Sequence, residues 1–427
     1  MTADADTTAT EGLPEMIVID DLAEPNLTPA QEGVIAYAHG LDLSFEAGHL
    51  LTEAREQTGL ADFGDDEFVD RLQVQTAAVE SDSGLNGLGR MIVHRRFVRL
   101  LSSRLLFTDL LKRYPEIHGI DVPAPLIVVG LPRSGTTHLV NLLAADSRLR
   151  SLPFWESNEP FPRRGEGPAA DGIDPRHARC AADYEAQMML APYVKAMHHQ
   201  YPEAIEEEIE LQDLDFASYT LEWHARVPAW RDYYFELDQH SSYEYLRLVL
   251  KALTFLRGPQ RWVLKSPQHL EQLGPLTAAF PDATVAFCHR DPVAVIQSAV
   301  TMLAYGDRIR RDAIEPDLLV AYWIDRIETL LRACVRDREL VPAERSIDVL
   351  FHEFMADDIA MVRRIYEHSD LDCGDRTLRE LENYMQANPR GKHGRVRYDL
   401  AGDFGVDPAE LRERFGFYFD RFDVHAD

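Results

Sequence analysis

The chain has 427 residues with an ordinary apolar share of 45%, enough for one large domain with additions or for two domains. A formal net charge of −28 argues against non-specific nucleic-acid binding, which needs positive charge facing the phosphates. Cys180, Cys288, Cys334 and Cys373 stand far apart and in no zinc or C-x-x-C spacing, which speaks against disulfides and a structural metal and for a reduced cytoplasm.

The opening "MTADADTTATEGLPE" has no basic start and no apolar stretch. It reads as a disordered lead over residues 1–15, not as a secretory signal. Residues 16–122 read as a helical region. "SFEAGHLLTEAREQTGL" has helical spacing and stops at a glycine, and "GRMIVHRRFVRLLSSRLLFTDLLKRYP" predicts a long amphipathic helix or a helix pair ended by Pro115. From residue 123 the character changes. "PLIVVG" is a short β-branched run, as a parallel strand buried on both faces would be. A glycine-rich turn and a helix, "TTHLVNLLAAD", follow it. No apolar run approaches the ~20 residues that span a bilayer.

That strand, turn and helix carry "GLPRSGTT", with Gly130 and Gly135 at phosphate-loop spacing but Thr136 where the loop lysine belongs. Farther on, "RWVLKSP" and "ATVAFCHRDP" read as strands. "LEQLGPLTAAF" and "DPVAVIQSAVTML" read as helices, the second capped by Asp291 with Pro292 at its first position. "EAIEEEIELQD", with Glu203, Glu206, Glu207 and Glu208, reads as an amphipathic helix with a solvated acidic face, or else as an acidic rim of a cleft. "ASYTLEWHARVPAWRDYYFEL" is either pocket lining or core. The predicted fold class is α/β: a phosphate-loop-type parallel sheet flanked by helices over residues 123–427, with the N-terminal helical region.

Ligands in such folds bind at the carboxyl ends of the strands. Residues 130–137, Lys265 and Arg290 all fall there. Loop amides and a helix N-terminus hold anions, and Ser134, Thr136 and Thr137 add hydroxyl donors. In triphosphate enzymes the loop lysine reaches the β- and γ-phosphates. Its absence predicts a ligand without a triphosphate and without a metal. Residues 388–398, "NPRGKHGRVRY", concentrate Arg390, Lys392, His393, Arg395 and Arg397 in an otherwise acidic chain. That cluster fits a specific anion, or a solvated loop balancing nearby acids.

Taken together, "GLPRSGTT", "LKSP", "HRDPVAVIQS" and the late "GKHG" resemble the sulfotransferases, in the bacterial branch with a P-R-[ST]-G-T-T loop. "TGLADFGDDEF", "WESNEPFP" and "YDLAGDFGVDPAELRERFGFYFDRF" extend the likeness over residues 54–422. The resemblance implies 3'-phosphoadenylyl sulfate as co-substrate. It implies that residues 131–137 bind the 5'-phosphosulfate and that Arg133 meets the leaving phosphate. Arg290 and Ser298 would hold the 3'-phosphate, Lys265 would assist the leaving group, and residues 390–393 would close over the nucleotide, although "GKHG" departs from the R-K-G-x-x-G pattern. For the general base it points to Glu156, which stands 23 residues after Arg133, with Glu159 and the pair His198 and His199 as rivals.

The reading is therefore a cytoplasmic sulfotransferase acting on a hydroxyl, or second an amine, of a small apolar acceptor. It has no nucleic-acid partner and no membrane-spanning segment. The N-terminal helices would cover the pocket or build a homo-oligomer. The alternatives are a phosphate-loop kinase of small molecules and a non-catalytic nucleotide-binding protein of the same fold.

Overall fold

The structure, a computed structural model, describes residues 16–81, 84–169 and 172–426. The predicted lead at residues 1–15 lies outside them. The named strands are β1 (Met16–Ile17), β2 (Leu126–Gly130), β3 (Leu149–Arg150), β4 (Arg261–Lys265), β5 (Thr284–His289), β6 (Ser346–Leu350) and β7 (Arg395–Val396). Five form one sheet in the order β3-β4-β2-β5-β6, and every neighbouring pair is parallel. The phosphate-loop strand β2 is central and buried along its whole length.

Side chains alternate across the sheet, so each strand feeds two cores. Leu126 and Val128 face a core with Leu139, Val263, Ala286, Val349 and Phe354. Ile127 and Val129 face the larger core, which also takes in Leu264, Phe287 and the N-terminal residues Phe68, Leu72, Phe97 and Leu101. The N-terminal helices thus pack as a layer over one face of the sheet. "GRMIVHRRFVRLLSSRLLFTDLLKRYP" folds as a single helix, Gly87–Arg113, and the glycine after "TEAREQT" caps its helix at φ 68°. "LEQLGPLTAAF" differs from expectation: a 3-10 turn, Pro267–Glu271, precedes a short helix, Leu273–Ala279. No helix among the described residues is long and apolar enough to cross a membrane.

Two features place the loop. A Cβ on Gly130 would lie 2.9 Å from Cys288 and from Thr136, so only glycine lets β2 run this close to β5 before the turn. At the far end of the chain, β1 pairs with β7 in parallel, Ile17 against Val396, and Arg397 donates its N–H to Ile17 O at 2.9 Å. The N-terminal strand therefore clasps the end of the basic segment.

Candidate active site

The turn after β2 leads into the helix Thr136–Ala144, whose cap, Gly135, has φ 91°. The first N–H groups of that helix have no partner within it, so they can hold an anion in front of the loop. Arg133 sits in the left-handed region at φ 68°, a conformation costing a non-glycine residue about 1–3 kcal/mol. Other segments hold it there. Arg290, just past β5, donates to Arg133 O at 2.8 Å. Arg133 Nε donates to Ser298 Oγ at 2.9 Å, and its guanidinium also reaches Met197 O. The structure thus gathers Arg133, Arg290 and Ser298 at one point. Ser134 is buried and spends its hydroxyl on Leu131 O at 2.6 Å, bracing the loop. Thr136 is buried at the helix start, and Thr137 is exposed beside it.

Lys265 ends β4 and is buried. Its Nζ lies 3.4 Å from Thr137 Oγ1 and forms an ion pair with Glu207. Its backbone N–H donates to Glu208 at 2.6 Å. The acidic run is therefore no solvated helical face. Residues 205–206 run extended against residues 152–153, through the bridge of Ile205 with Pro153 and the bond from Glu206 N to Leu152 O. Helix begins only at Ile209–Gln212. Glu206 and Glu208 are buried. An arginine of the N-terminal layer anchors the segment: Arg96 pairs with Glu210 at 3.0 Å and also with Asp213.

Burial pushes the Glu207 carboxyl above its ordinary range. The Lys265 ammonium pulls it back, and the neighbouring Glu206 pushes it up again. His198 lies 3.8 Å from Glu206. Burial, helped by the charge of Lys265, pushes its imidazole down to about 4. His198 is neutral at pH 7 and too weakly basic to hold a proton well, whereas a carboxyl raised from its usual range is matched to general-base work. His199 turns to Tyr184, at 2.9 Å, and its ring stands 4.3 Å from that of His393.

Glu156 and Glu159 are placed elsewhere. Glu156 is buried between two guanidinium groups, Arg150 at 3.2 Å and Arg257 at 2.8 Å. Arg150 lies on β3 opposite Trp262, near the start of β4, about 10 Å along the strand from Lys265. Glu159 is bound by Arg179 at 2.6 Å. The resemblance put Glu156 forward; Arg150 stands only six residues before it, but Arg257 comes from 101 residues farther along, and no local pattern announces its approach. Glu156→Gln is expected to lower stability by about 3–5 kcal/mol, because removing one partner leaves a buried charge uncompensated. Urea unfolding checks this.

The basic segment reaches the loop helix by way of Asp358. Arg390 pairs with Asp358 at 2.7 Å, and Asp358 in turn meets His138 of the loop helix at 3.2 Å. Gly391 and Gly394, at φ 78° and 92°, turn the chain around Lys392 and His393. The aromatic-rich stretch goes to the core: Tyr219, Trp230 and Tyr234 are fully buried.

The family model described as "Sulfotransferase family" matches residues 125–375, from β2 through β6. The chain belongs to the sulfotransferase family. This sulfotransferase is 24% identical over 320 residues to the omega-hydroxy-beta-dihydromenaquinone-9 sulfotransferase Stf3 of Mycobacterium bovis, covering 69% of this chain and 75% of that one. Among solved structures it resembles sulfotransferase STF1 of Mycobacterium tuberculosis H37Rv, with 27% identity, a TM-score of 0.76, and 87% and 98% of the two chains covered. Sulfotransferase STF9 of Mycobacterium avium shares the fold, with 24% identity, a TM-score of 0.80, and 90% and 98% covered. The parallel-sheet fold and the enzyme class read from the sequence are those of these proteins.

Proposed function

We propose that this sulfotransferase uses 3'-phosphoadenylyl sulfate to sulfate a hydroxyl on a small apolar molecule, with Glu207 as general base. The observation that carries this reading is the buried Lys265 ammonium lying between Thr137 of the phosphate loop and the Glu207 carboxylate. The donor's phosphosulfate lies on the loop amides and the helix N-terminus. Glu207 takes the proton of the acceptor hydroxyl as its oxygen attacks sulfur in line. The bond from sulfur to the bridging oxygen breaks, and adenosine 3',5'-bisphosphate leaves. Arg133, Lys265 and the loop amides meet the charge that grows on the leaving phosphate. Such preorganised charge and positioning supply most of the rate in transfers of this kind.

Arg290 and Ser298, already joined through Arg133, receive the 3'-phosphate, and Arg390, Lys392 and His393 close over the nucleotide. No metal takes part. Stf3 is named for an omega-hydroxy-dihydromenaquinone, which supports an alcohol on an apolar body. Three free, buried cysteines, Cys180, Cys288 and Cys334, fit a reduced cytoplasmic setting.

The test is transfer of 35S from labelled donor to a panel of long-chain and prenyl-type alcohols, followed by extraction of the labelled product. Label in an apolar sulfate supports the reading; donor consumption only with ionic sugars or amines contradicts it. A second expectation concerns the clasp. Ile17→Asp breaks the pairing of β1 with β7 and loosens the basic segment. Ordering that segment again on binding costs about 1.4 kcal/mol, so affinity for adenosine 3',5'-bisphosphate falls about tenfold. Calorimetry reads it.

A further inference from the structure

Behind Lys265 lies a chain of three fully buried polar side chains that the transfer reaction does not use: Glu208, His269 and Tyr243. It starts at a defect of the sheet. Ser266 N bonds to Val128 O at 3.2 Å, so even-numbered amides at the end of β4 point to β2. Odd-numbered ones, Lys265 included, point to the β3 side. β3 opposes β4 only at Arg261 and Trp262. The Lys265 N–H therefore has no strand beside it, and an orphaned buried donor is costly.

Glu208 fills the gap, accepting that N–H on Oε2 at 2.6 Å. Its other oxygen, Oε1, meets His269 Nε2 at 2.7 Å. The far side of that ring, Nδ1, meets Tyr243 Oη at 2.7 Å. Burial keeps the Tyr243 phenol protonated. It donates to Nδ1, which leaves the ring hydrogen on Nε2 to donate to Glu208. Three elements are tied in this way: the helix His240–Arg257, the turn Pro267–Glu271 and the acidic segment. The adjacent residue, Glu207, grips the same lysine by its ammonium.

We infer that His269, oriented by Tyr243, is a positioning residue: through Glu208 it fixes the end of β4 so that the Lys265 ammonium and the Glu207 carboxylate face each other at the transfer site. The inference rests on the proposed roles of Lys265 and Glu207, but its physical content is testable without donor or acceptor. The lysines of the chain are Lys112, Lys195, Lys251, Lys265 and Lys392, so each amine can be followed alone by peptide mass spectrometry during reductive methylation with formaldehyde and cyanoborohydride. In the parent protein, Lys265 is expected to react far more slowly than Lys112 and Lys251 on the surface.

His269→Gln keeps a side-chain N–H for Glu208, and His269→Leu removes it at similar size. His269→Leu is expected to raise the rate at Lys265, relative to Lys112, by about tenfold or more. His269→Gln should leave it within about twofold of the parent, by the same energetic scale. Equal rates in the two variants, or an increase in the glutamine variant alone, would overturn the inference, because packing rather than the hydrogen bond would then hold the lysine. If the leucine variant does not fold, Tyr243→Phe takes its place: faster labelling at Lys265 supports the relay, and an unchanged rate overturns it. Calorimetry of adenosine 3',5'-bisphosphate with the parent protein is run alongside. Absent binding would count against the donor site, while the labelling result still decides the relay.

Discussion

Glu207→Gln is expected to lower turnover by about 10²–10⁴-fold, the usual worth of a positioned general base, and to leave binding of adenosine 3',5'-bisphosphate within a few-fold of the parent. The amide keeps the size of the carboxylate and a contact to Lys265, so the loop and the donor pocket stay assembled. What it lacks is the ability to take the acceptor's proton. The pH profile separates this from a packing defect. Burial lifts the Glu207 carboxyl above its ordinary range, and the base works only when deprotonated. Parent activity therefore rises with pH along a limb centred above the usual carboxylate range and levels off once Glu207 is ionised. That limb should be absent in Glu207→Gln. It should persist in His198→Asn, because an imidazole held down to about 4 is neutral throughout. Initial rates at saturating donor between pH 5 and 9 read both. A Glu207→Gln enzyme with near-parental turnover would remove Glu207 from the mechanism.

The second large effect belongs to Lys265. Lys265→Met keeps the stem packed at the end of β4 but deletes the charge between the loop and Glu207. The loss in turnover should be about 10²–10³-fold, the cost of removing one preorganised group from developing transition-state charge. Donor affinity should fall less, because Arg133 and the helix amides still hold the ground-state phosphate. Without the ammonium, Glu207 loses the strongest of the charges that pull its carboxyl down, so the remaining activity should appear at higher pH than in the parent. Turnover lost in step with donor affinity, with no shift in the profile, would reduce Lys265 to a donor-binding charge.

The parts of this site that could be read from sequence are those fixed by local grammar. A β-branched run, a glycine turn and a helix define the loop. The strand ends put Lys265 and Arg290 on the same edge of the sheet; Ser298 came only with the resemblance, and its contact with Arg133 shows only in the fold. Glu207, the proposed base, could not be read this way. "EAIEEEIELQD" has the composition of a solvated helix, and nothing within eleven residues shows that Ile205 pairs with Pro153 or that Arg96 and Lys265 bury the acids. A strand-end lysine that folds into the interior needs a carboxylate beside it, and that need was the one available hint. The surroundings of Glu156 were hidden for the converse reason. Its spacing from Arg133 fits, but Arg150 and Arg257 reach it only in the folded chain and occupy both of its oxygens. The Tyr243 and His269 relay was equally hidden, since it depends on β3 being too short to cover the end of β4.

The donor assignment is tested most directly by calorimetry of adenosine 3',5'-bisphosphate beside ATP with Mg²⁺, each with and without EDTA. Tight binding of the bisphosphate that EDTA does not change, with none of ATP, is the predicted result. Preference for Mg²⁺-ATP, abolished by EDTA, would contradict it and would return the loop to a triphosphate.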